Sequence, residues 1–325
     1  MLATMTDPMI DRTALLAPEA PLWSRLDDQG LIRASGPDAA DFLQNLLTND
    51  VQSIALNEIR LAGFCTPKGR LLALFRVVRD PSANGDLLLI LPREVLPGML
   101  KKLSMYVLRA KVKLTDASAE FALIGIATAV SPAPTCGNLS PFRLNSTDRP
   151  ALWMILAPAA QATTDLADLN PEREVAIETW HWLTIAAGLP HVELATQEAF
   201  VPQMLNMELL AVAGISFSKG CYPGQEIVAR TQYLGKIKRR MVRVRLSASA
   251  KPGDQVFAPE SGDQPCGALV FVARSPESTG DIEALLCAQI AAIEAGSITV
   301  GAPVGPPLTL LDLPYALDGP DTRKR

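Results

Sequence analysis

The sequence predicts an α+β protein that contains two mixed α+β domains and a small C-terminal β-barrel. Strand-like runs are interrupted by a few helical segments, without the regular strand–helix alternation of a parallel α/β sheet. From Met241 onward, short strands separated by Gly/Pro turns replace this mixture, which is typical of a small barrel. The chain has 325 residues, of which 48% are hydrophobic, enough to build two or three domains.

The first 115 residues combine an N-terminal arm with one helix-and-sheet unit. Residues 1–20 are rich in Pro, Thr and Asp and are expected to form a flexible arm. After a strand at 31–34, apolar residues recur at the spacing of one helical face and predict a helix: Ala39, Phe42, Leu43, Leu46 and Leu47. Three strand-like runs separated by Pro/Gly/Asn turns predict an antiparallel meander: 59–66, 71–78 and 87–91. A second helix is predicted at 93–108, with Pro97 in its first turn.

The rest of the chain divides into a second mixed unit and the barrel. Strands are predicted at 121–127 and 152–156, on either side of a Pro-rich loop at 131–141. Asn170 followed by proline is typical of a helix start, and Gly188 of a helix end, so a third helix is expected between them. Four alternating or apolar runs predict strands of the barrel: 242–246, 268–273, 284–290 and 308–311. A polar tail follows at 317–325.

Composition argues against several classes of function. The net charge of −4 does not suit a protein that holds nucleic acid through charge alone. The five cysteines are odd in number, widely spaced and without a Cys-x-x-Cys, which argues against a disulfide framework and indicates a reducing compartment. With only two histidines, a metal site built by this chain alone is not expected. Because we find no signal peptide and no membrane-spanning run, we expect a cytoplasmic protein without membrane contact.

The octet 219–226, Lys-Gly-Cys-Tyr-Pro-Gly-Gln-Glu, is the most informative segment. Pro223 suits the first position of a helix, and Glu226 would then lie in the first turn, at the positive end of the helix dipole. Cys221 would lie just before that end, with Lys219 nearby. Both features stabilise a thiolate, which is the nucleophilic and metal-binding form of cysteine. The alternative is a buried structural thiol, the commoner state of a free cysteine.

With its continuation Ile-Val-Ala-Arg at 227–230, the octet resembles the signature of the YgfZ-type folate-binding proteins, relatives of the glycine-cleavage T-protein, an aminomethyltransferase. Further matches bring the resemblance to residues 22–316: 36–51, 66–70, 106–112, 200–206, 214–217 and 313–315. The resemblance implies a three-domain ring with a folate pocket near its centre. The folate-binding domain would comprise two separate stretches of the chain, 21–115 and 190–235. The second α+β domain, at 116–189, would be inserted between them, and the barrel would follow at 236–316.

In function, the resemblance implies a folate-binding accessory protein that supports assembly or repair of iron–sulfur clusters, including those of enzymes that modify tRNA. The cofactor would be tetrahydrofolate or a derivative. The partners would be iron–sulfur enzymes or their assembly factors, and direct contact with tRNA stays open. Cys221 would be the key residue, with Lys219 beside it. The rest of the signature comprises Gly220, Tyr222, Gly224, Gln225, Glu226 and Arg230, and its two glycines indicate turns that need a positive φ or close packing.

Three departures from the family patterns bear on chemistry. Aminomethyltransferases carry an aspartate at the position of Cys221, and they need a carboxylate to engage folate where this chain has Leu-Leu-Ala-Leu at 71–74. Because an alkyl side chain cannot assist proton transfer, aminomethyl transfer is not expected. Of two tryptophans linked to folate in the family, the later falls on Trp180 and the earlier on Gln29. Losing one aromatic wall is expected to weaken pterin stacking by about 0.5–1.5 kcal/mol.

Several candidate residues also have a structural explanation. Lys219 is either a cation that lowers the pKa of Cys221 or a solvated loop lysine. Trp180 on a helix is more often core than ligand platform, and Gln203 and Asn206 either bind the ligand or cap backbone groups. A basic run at 236–245 is taken as the solvated face of a strand. The alternative is a landing site for tRNA or for the glutamate tail of folate.

Three functions are therefore to be compared. The first is the iron–sulfur accessory protein, in which Cys221 is essential. The second is a folate-dependent aminomethyl or other one-carbon transferase, which the missing carboxylate argues against. The third is a non-catalytic scaffold, which would tolerate Cys221→Ser. Whether the chain is an enzyme is left open by the sequence.

Overall fold

A computed structural model describes residues 12–317 except for 81–84, 130–132, 135, 138, 148–149, 236 and 277–280. The helices are α1 (Arg12–Leu16), α2 (Ala39–Gln44), α3 (Leu96–Ser104), α4 (Ala162–Asp165), α5 (Ile177–Ala186), α6 (Gln225–Tyr233) and α7 (Ile290–Ala295). The first nine strands are β1 (Leu22–Arg25), β2 (Gln29–Ser35), β3 (Ile59–Cys65), β4 (Leu71–Arg79), β5 (Leu87–Pro92), β6 (Lys113–Asp116), β7 (Phe121–Thr128), β8 (Phe142–Arg143) and β9 (Ala151–Pro158). The others are β10 (Arg239–Leu246), β11 (Gln255–Phe257), β12 (Gly267–Arg274), β13 (Ile282–Gln289), β14 (Thr299–Val300) and β15 (Thr309–Leu311).

The first sheet has the strand order β3-β4-β5-β2-β6 and is antiparallel throughout. The predicted meander is confirmed, because β3, β4 and β5 pair in sequence. Successive side chains of a strand point to opposite faces. Along β4, Phe75 and Val77 pack with α2 and α3, whereas Leu74 and Val78 join a core shared with the other sheets. The sheet therefore has one helix-covered face and one face toward the centre of the molecule.

The two predicted helices of this unit form, but both are shorter than expected. The apolar face predicted for the first helix is buried from Ala39 to Leu47, yet α2 itself ends at Gln44. The second, α3, covers Leu96–Ser104 rather than 93–108, with Pro97 in its first turn as predicted.

The second sheet has the order β1-β7-β9-β8. Its edge strand β1 pairs with β7, although residues 22–25 fall within the segment predicted to belong to the folate-binding domain. Helix α5 packs on this sheet through Trp180. A Cβ atom at Gly125 of β7 would lie 2.6 Å from the Trp180 ring, so this glycine allows the ring to lie directly on the strand.

The third predicted helix is interrupted, and the prediction of one continuous helix from Asn170 to Gly188 is wrong. Asn170 caps only the short 3₁₀ helix Pro171–Arg173, and α5 begins at Ile177. Between them the backbone N–H of Val175 donates to the Trp23 carbonyl of β1 at 2.8 Å. A long-range backbone contact therefore replaces the intrahelical hydrogen bonds at this point.

The third sheet has the order β14-β11-β12-β13-β10-β15. The predicted mixture of helices and antiparallel sheets is thus confirmed, while the ring and the closed barrel stay predictions. The basic run on β10 is not a solvated face. Arg243 is 6% exposed, and it binds the fully buried Glu283 at 2.8 Å, as does Arg245 at 2.9 Å. Arg240 pairs with Glu208, and residue 236 lies outside the described residues.

The N-terminal segment differs from expectation where it is described. Of the predicted arm 1–20, residues 1–11 lie outside the described part, and α1 packs its fully buried Leu15 into the central core. This portion is therefore docked rather than loose. The predicted tail is described only at residue 317, and the Pro-rich loop at 131–141 only in part.

One apolar core joins the three sheets. It contains Leu74 of the first sheet, Met154 of the second and Leu285 of the third, together with Trp182 of α5. No helix in the described ranges is long and apolar enough to cross a membrane. The junction of the sheets is where a cleft opens, and the signature octet lies beside it.

Candidate functional site

A cleft of about 760 Å³ lies at the junction of the first and second sheets. Its lining comes from the 49–61 region, the 143–146 segment and the 210–218 segment. The volume falls in the range of small-molecule pockets, roughly 300–1,000 Å³. Several charged and polar side chains line it: Asn49, Asp50, Glu58, Arg60, Arg76 and Arg143. The cleft can thus receive a ligand with polar groups.

Thr48 and Asn49 hold the segment that leads into the octet. Thr48 Oγ1 donates to the Gly214 carbonyl at 2.7 Å, and Asn49 Nδ2 donates to the Ala213 carbonyl at 2.7 Å. The Ser216 N–H donates in return to the Thr48 carbonyl at 3.0 Å. Both side chains are buried, so these bonds are shielded from water. Two segments that resemble the family are therefore in direct contact, and together they form one wall of the cleft.

Lys219 fastens the octet to the end of α2. Its Nζ donates to the Gln44 carbonyl and, at 2.6 Å, to the Leu47 carbonyl, and it lies 4.8 Å from the centre of the Tyr222 ring. A cation is favourable at the C-terminal end of a helix, where carbonyl groups lack partners. Lys219 is therefore not a solvated loop lysine. Its proposed influence on the thiol of Cys221 stays a prediction.

Because the Lys219 ammonium is partly buried, we expect the stability of the protein to depend on pH. Burial lowers its pKa to about 8 in the folded protein, against an ordinary value of 10.5. Between these pH values the unfolded chain binds more protons, so the stability contributed by this group rises with pH across that window. We expect the free energy of unfolding of the wild type, relative to Lys219→Met, to increase from about pH 7.5 to 10.5 in urea denaturation. A relative stability that stays flat or falls with pH would contradict the buried position of the ammonium.

Gly224 allows the octet to lie against the turn at 66–70. It has φ +81°, and a Cβ atom there would lie 2.5 Å from the Thr66 carbonyl oxygen and 2.7 Å from the Gly69 Cα. The prediction of a special backbone role is confirmed for Gly224. For Gly220 it is wrong, because that residue lacks a positive φ and an added Cβ would meet no atom within 4 Å.

Helix α6 begins later than predicted. Its N-cap is Gly224, so Pro223 precedes the helix rather than occupying its first position. Glu226 does lie in the first turn and is exposed, as expected for a carboxylate at the positive end of a helix. Arg230 is exposed in the last turn, and Gln225 is half-buried.

Cys221 is exposed, and the other four cysteines, all within the described part of the chain, are buried. It lies three residues after Ser218, which lines the cleft. Burial raises the pKa of Cys65 and of Cys287 to about 12, so those thiols stay protonated at neutral pH. Cys221 is therefore the accessible thiol, and the buried structural thiol considered for it is wrong.

Gln203 and Asn206 lie away from the cleft lining. Both are fully buried. Gln203 donates to the Val228 carbonyl of α6 at 2.7 Å, and Asn206 donates to the Met241 carbonyl of β10 at 2.8 Å. Asn206 also has φ 59°, a left-handed conformation that asparagine tolerates. These contacts favour the capping explanation: the two amides hold α6 and β10 in place.

Gln29 and Trp180 come together at a second, inner cavity. Its volume is about 10 Å³, room for roughly one water molecule, and Gln29 is 8% and Trp180 5% exposed. Two residues, Arg76 and Leu144, line both this cavity and the cleft. The structure thus places the two positions linked to folate side by side, behind the wall of the cleft rather than on its open surface.

Two histidines flank the inner cavity. His191 stacks on Phe271 at 4.1 Å, and burial together with the charge of Arg76 lowers the pKa of His191 to about 3, so the ring is neutral. His181 hydrogen-bonds Asp28 at 2.7 Å. Burial is the largest single influence on Asp28 and raises the pKa of its carboxyl. The hydrogen bonds from His181 and Gln29, together with the electrostatic influence of the two histidines, outweigh burial and leave that pKa below its ordinary value.

Arg76 is a site residue that sequence reasoning missed. It lies half-buried on β4, the second strand of the first sheet, and reaches both the cleft and the inner cavity. The available signal was its pattern: it is the one charged residue in the otherwise apolar run 71–78. A strand that is buried on both faces is normally apolar throughout. A charged residue on such a strand therefore indicates a functional position.

Comparisons with known proteins found similar sequences and a similar fold. The chain is 30% identical to the tRNA-modifying protein YgfZ of Edwardsiella ictaluri, over 96% of this chain and 98% of that protein. It is 34% identical to the YgfZ proteins of Colwellia psychrerythraea and Photorhabdus laumondii, covering 69% and 71% of them and 66% and 70% of this chain. No protein-family model matches. A crystal structure of the glycine cleavage system aminomethyltransferase T from Bartonella henselae superposes with TM-score 0.64 at 14% identity, covering 96% of this chain and 90% of that one; at this identity the likeness concerns the fold alone.

Proposed function

The chain belongs to the YgfZ family of tRNA-modifying proteins, and we propose that within it this protein is a folate-binding accessory factor. It supports assembly or repair of iron–sulfur clusters, including those of enzymes that modify tRNA. The observation that carries the proposal is the position of Cys221: an exposed thiol four residues before the first residue of α6, and three residues along the chain from Ser218 in the lining of a ligand-sized cleft.

The properties of the cleft suit a folate. Its size allows a ligand with both a ring system and a polar tail. Asn49, Arg60 and the 216–218 segment would contact the ligand, and Arg76 lies where the cleft adjoins the inner cavity. When bound, a tetrahydrofolate would supply one-carbon chemistry. The residues of this chain would bind and orient it beside the octet.

Cys221 would act together with a partner. A single cysteine cannot hold an iron–sulfur cluster, which is normally bound by four thiolates. Among the described residues, no group of three or more His, Cys, Asp and Glu side chains is placed to hold a metal ion. The thiol is therefore best suited to transient work: attack on sulfur or carbon, or one shared ligand to iron presented by a client protein. Its exposure is what such a contact requires.

Aminomethyl transfer is less favoured by the site. Residues 71–74 lie buried on β4 as Leu, Leu, Ala and Leu, so this strand offers no acid to a bound folate. The similarity to aminomethyltransferase T shows a shared fold, and function depends on the site rather than on the fold.

A two-part experiment tests the proposal. In a bacterium that lacks its own YgfZ, expression of this chain is expected to restore thiolated tRNA and the activity of iron–sulfur enzymes. The purified protein is expected to bind 5-formyltetrahydrofolate in calorimetric titration. Rescue without folate binding would reject the folate part of the proposal, and folate binding without rescue would reject the iron–sulfur part. An aminomethylated carrier protein with tetrahydrofolate serves as the control substrate, for which no turnover is expected.

A further inference from the structure

The segment 101–113, which runs from the last turn of α3 to the first residue of β6, carries an excess of positive charge. It has five basic residues and no acid, in a protein whose net charge is −4: Lys101, Lys102, Arg109, Lys111 and Lys113. All of them except the half-buried Lys102 are exposed. Among the residues that the structure describes, none of these five side chains forms an ion pair or a hydrogen bond. We refer to the surface formed by this segment as the basic surface.

Two carboxylates adjoin the basic surface, and both have partners. Asp38 accepts from the backbone N–H of Lys111 at 2.7 Å, and Asp116 accepts from the hydroxyl and the backbone N–H of Ser118. Two carboxylates do not offset five cations, so the basic surface is positive. The basic run on β10 is different, because three of its arginines are paired with glutamates of the protein itself.

Exposed apolar side chains lie among the cations of the basic surface. Leu108 is 86% exposed, Met105 is exposed, and Tyr106 is 39% exposed. The Tyr106 ring stands perpendicular to the ring of the fully buried Phe64, with 5.8 Å between the ring centres. The backbone N–H of Tyr106 donates to the Leu103 carbonyl at 3.0 Å. The tyrosine ring is therefore held in place on the core, with part of its surface accessible.

The basic surface is connected to the octet but is separate from the cleft. Phe64 forms an antiparallel bridge with Leu47, and the Leu47 carbonyl accepts from Lys219 Nζ at 2.6 Å. Only these two residues therefore intervene between Tyr106 and the octet. None of the residues 101–113 lines the cleft, so a ligand of the basic surface would leave the cleft free.

We propose that the basic surface binds a single-stranded segment of RNA. The cations would contact successive phosphates, and an unpaired base would stack on Tyr106. Stacking supplies what the charge of this chain alone does not, because the protein is acidic as a whole. The inference goes beyond the proposed function, which assigns no RNA contact to this chain.

Other anionic partners fit the basic surface less well. A helix that lies in a membrane surface inserts its apolar face, but the apolar face of α3 is buried on the first sheet: Leu96, Met99 and Leu103. An acidic protein segment would neutralise the cations without offering flat rings between its charges. Single-stranded RNA offers both, and the basic surface has cations before and after an anchored tyrosine.

Fluorescence anisotropy tests the proposal with an end-labelled single-stranded RNA of about 12 nucleotides. The double variant Arg109→Gln/Lys111→Gln is expected to weaken binding by about 10-fold or more at a fixed salt concentration. It should also reduce the slope of log K against log salt by about 1.4, because each lost phosphate contact removes about 0.7. The control Lys251→Gln/Arg274→Gln removes the same charges at exposed positions elsewhere and is expected to bind within about 2-fold of wild type.

Variants of Tyr106 separate stacking from charge. Tyr106→Phe keeps the ring and is expected to bind the RNA within about 2-fold of wild type. Tyr106→Leu keeps an apolar contact with Phe64 but loses the flat face, so binding is expected to weaken by about 5- to 100-fold with an unchanged salt slope. Urea denaturation shows whether each variant is folded. If Tyr106→Leu does not fold, the exposed Arg109→Gln/Lys111→Gln, which removes no packing, decides the test.

Further probes identify the other possible partners. Poly-L-glutamate and phosphatidylglycerol vesicles are expected to bind wild type at least about 10-fold more weakly than the RNA at equal ionic strength. Poly-L-glutamate binding as tight as RNA binding would indicate a general site for acidic chains, and tighter binding of vesicles would indicate a membrane site. Either result would overturn the inference, as would a wild type that does not bind the RNA, or equal effects of the two double variants. Complementation and folate titration test the proposed function independently of all these results.

Discussion

Replacing Cys221 with alanine is expected to abolish rescue of thiolated tRNA and of iron–sulfur enzyme activity, while the protein stays folded. The side chain is exposed, so its truncation removes no core packing. The free energy of unfolding is expected to change by no more than about 0.5 kcal/mol. The measurement is complementation of a strain without its own YgfZ, with the abundance of wild type and variant matched by immunoblot.

Cys221→Ser distinguishes thiol chemistry from mere shape. A serine hydroxyl has nearly the volume of the thiol but does not ionise at neutral pH, and it is a poor ligand for iron. We therefore expect Cys221→Ser to fail as completely as Cys221→Ala. If either variant rescues to the wild-type level, the thiol does no chemistry or ligation in this pathway, and the non-catalytic scaffold becomes the better explanation.

Alkylation provides an internal control for this prediction. Because the other four cysteines are buried, brief treatment of the native protein with iodoacetamide is expected to modify Cys221 alone. Mass spectrometry would show one adduct on wild type and none on Cys221→Ala. The folate affinity of alkylated wild type should stay within about 2-fold of that of the untreated protein, because Cys221 itself does not line the cleft.

The sequence predicts elements well where the pattern is local. The meander of β3, β4 and β5 follows from three strand-like runs with Pro/Gly turns between them, and each run matches a strand to within one or two residues. The buried face of α2 follows from helical spacing in the same way. These features depend on contacts among residues that are near in sequence, which periodicity captures.

Predictions failed where a distant segment decides the local structure. The helix expected from Asn170 is interrupted because Val175 bonds to Trp23, a residue about 150 positions earlier. Pro223 satisfies the rule for a first helical position, but packing against the 66–70 turn places a left-handed Gly224 between it and the helix. The arginines of β10 resemble a solvated face until Glu283 from β13 is brought beneath them.

The candidate site shows the same division. The resemblance singled out the octet with its exposed cysteine. It also singled out the region of Thr48 and Asn49, which bonds to the segment that leads into the octet. Arg76 required the structure, since what distinguishes it is the lack of a partner among the described residues, and sequence gives no account of partners. The sequence likewise proposed Gln203 and Asn206 as ligand contacts, and only their burial against α6 and β10 shows that they support the backbone.

Gly224→Ala is expected to destabilise the protein by at least about 2 kcal/mol and to abolish rescue. A left-handed conformation costs an alanine roughly 1–2 kcal/mol relative to glycine. The methyl group would also lie 2.5 Å from the Thr66 carbonyl oxygen and 2.8 Å from the Gly69 nitrogen. These atoms belong to the backbone, so relief requires the 66–70 turn or the octet to shift.

Gly220→Ala is the matched control within the same octet. An added Cβ at Gly220 meets nothing within 4 Å, and its φ is not in the left-handed region. The same chemical change is therefore expected to alter the free energy of unfolding by no more than about 0.5 kcal/mol. Urea denaturation of both variants, with complementation in parallel, measures the contrast.

The two glycine variants also test how Cys221 is positioned. Cys221 lies between Gly220 and Gly224, so either substitution is within three residues of the thiol. If close packing of Gly224 on the 66–70 turn fixes the octet, only Gly224→Ala should displace the cysteine, lowering stability and rescue together. Equal effects of the two variants would mean that the turn does not hold the octet. Full rescue by Gly224→Ala despite lower stability would show that the thiol can act without that support.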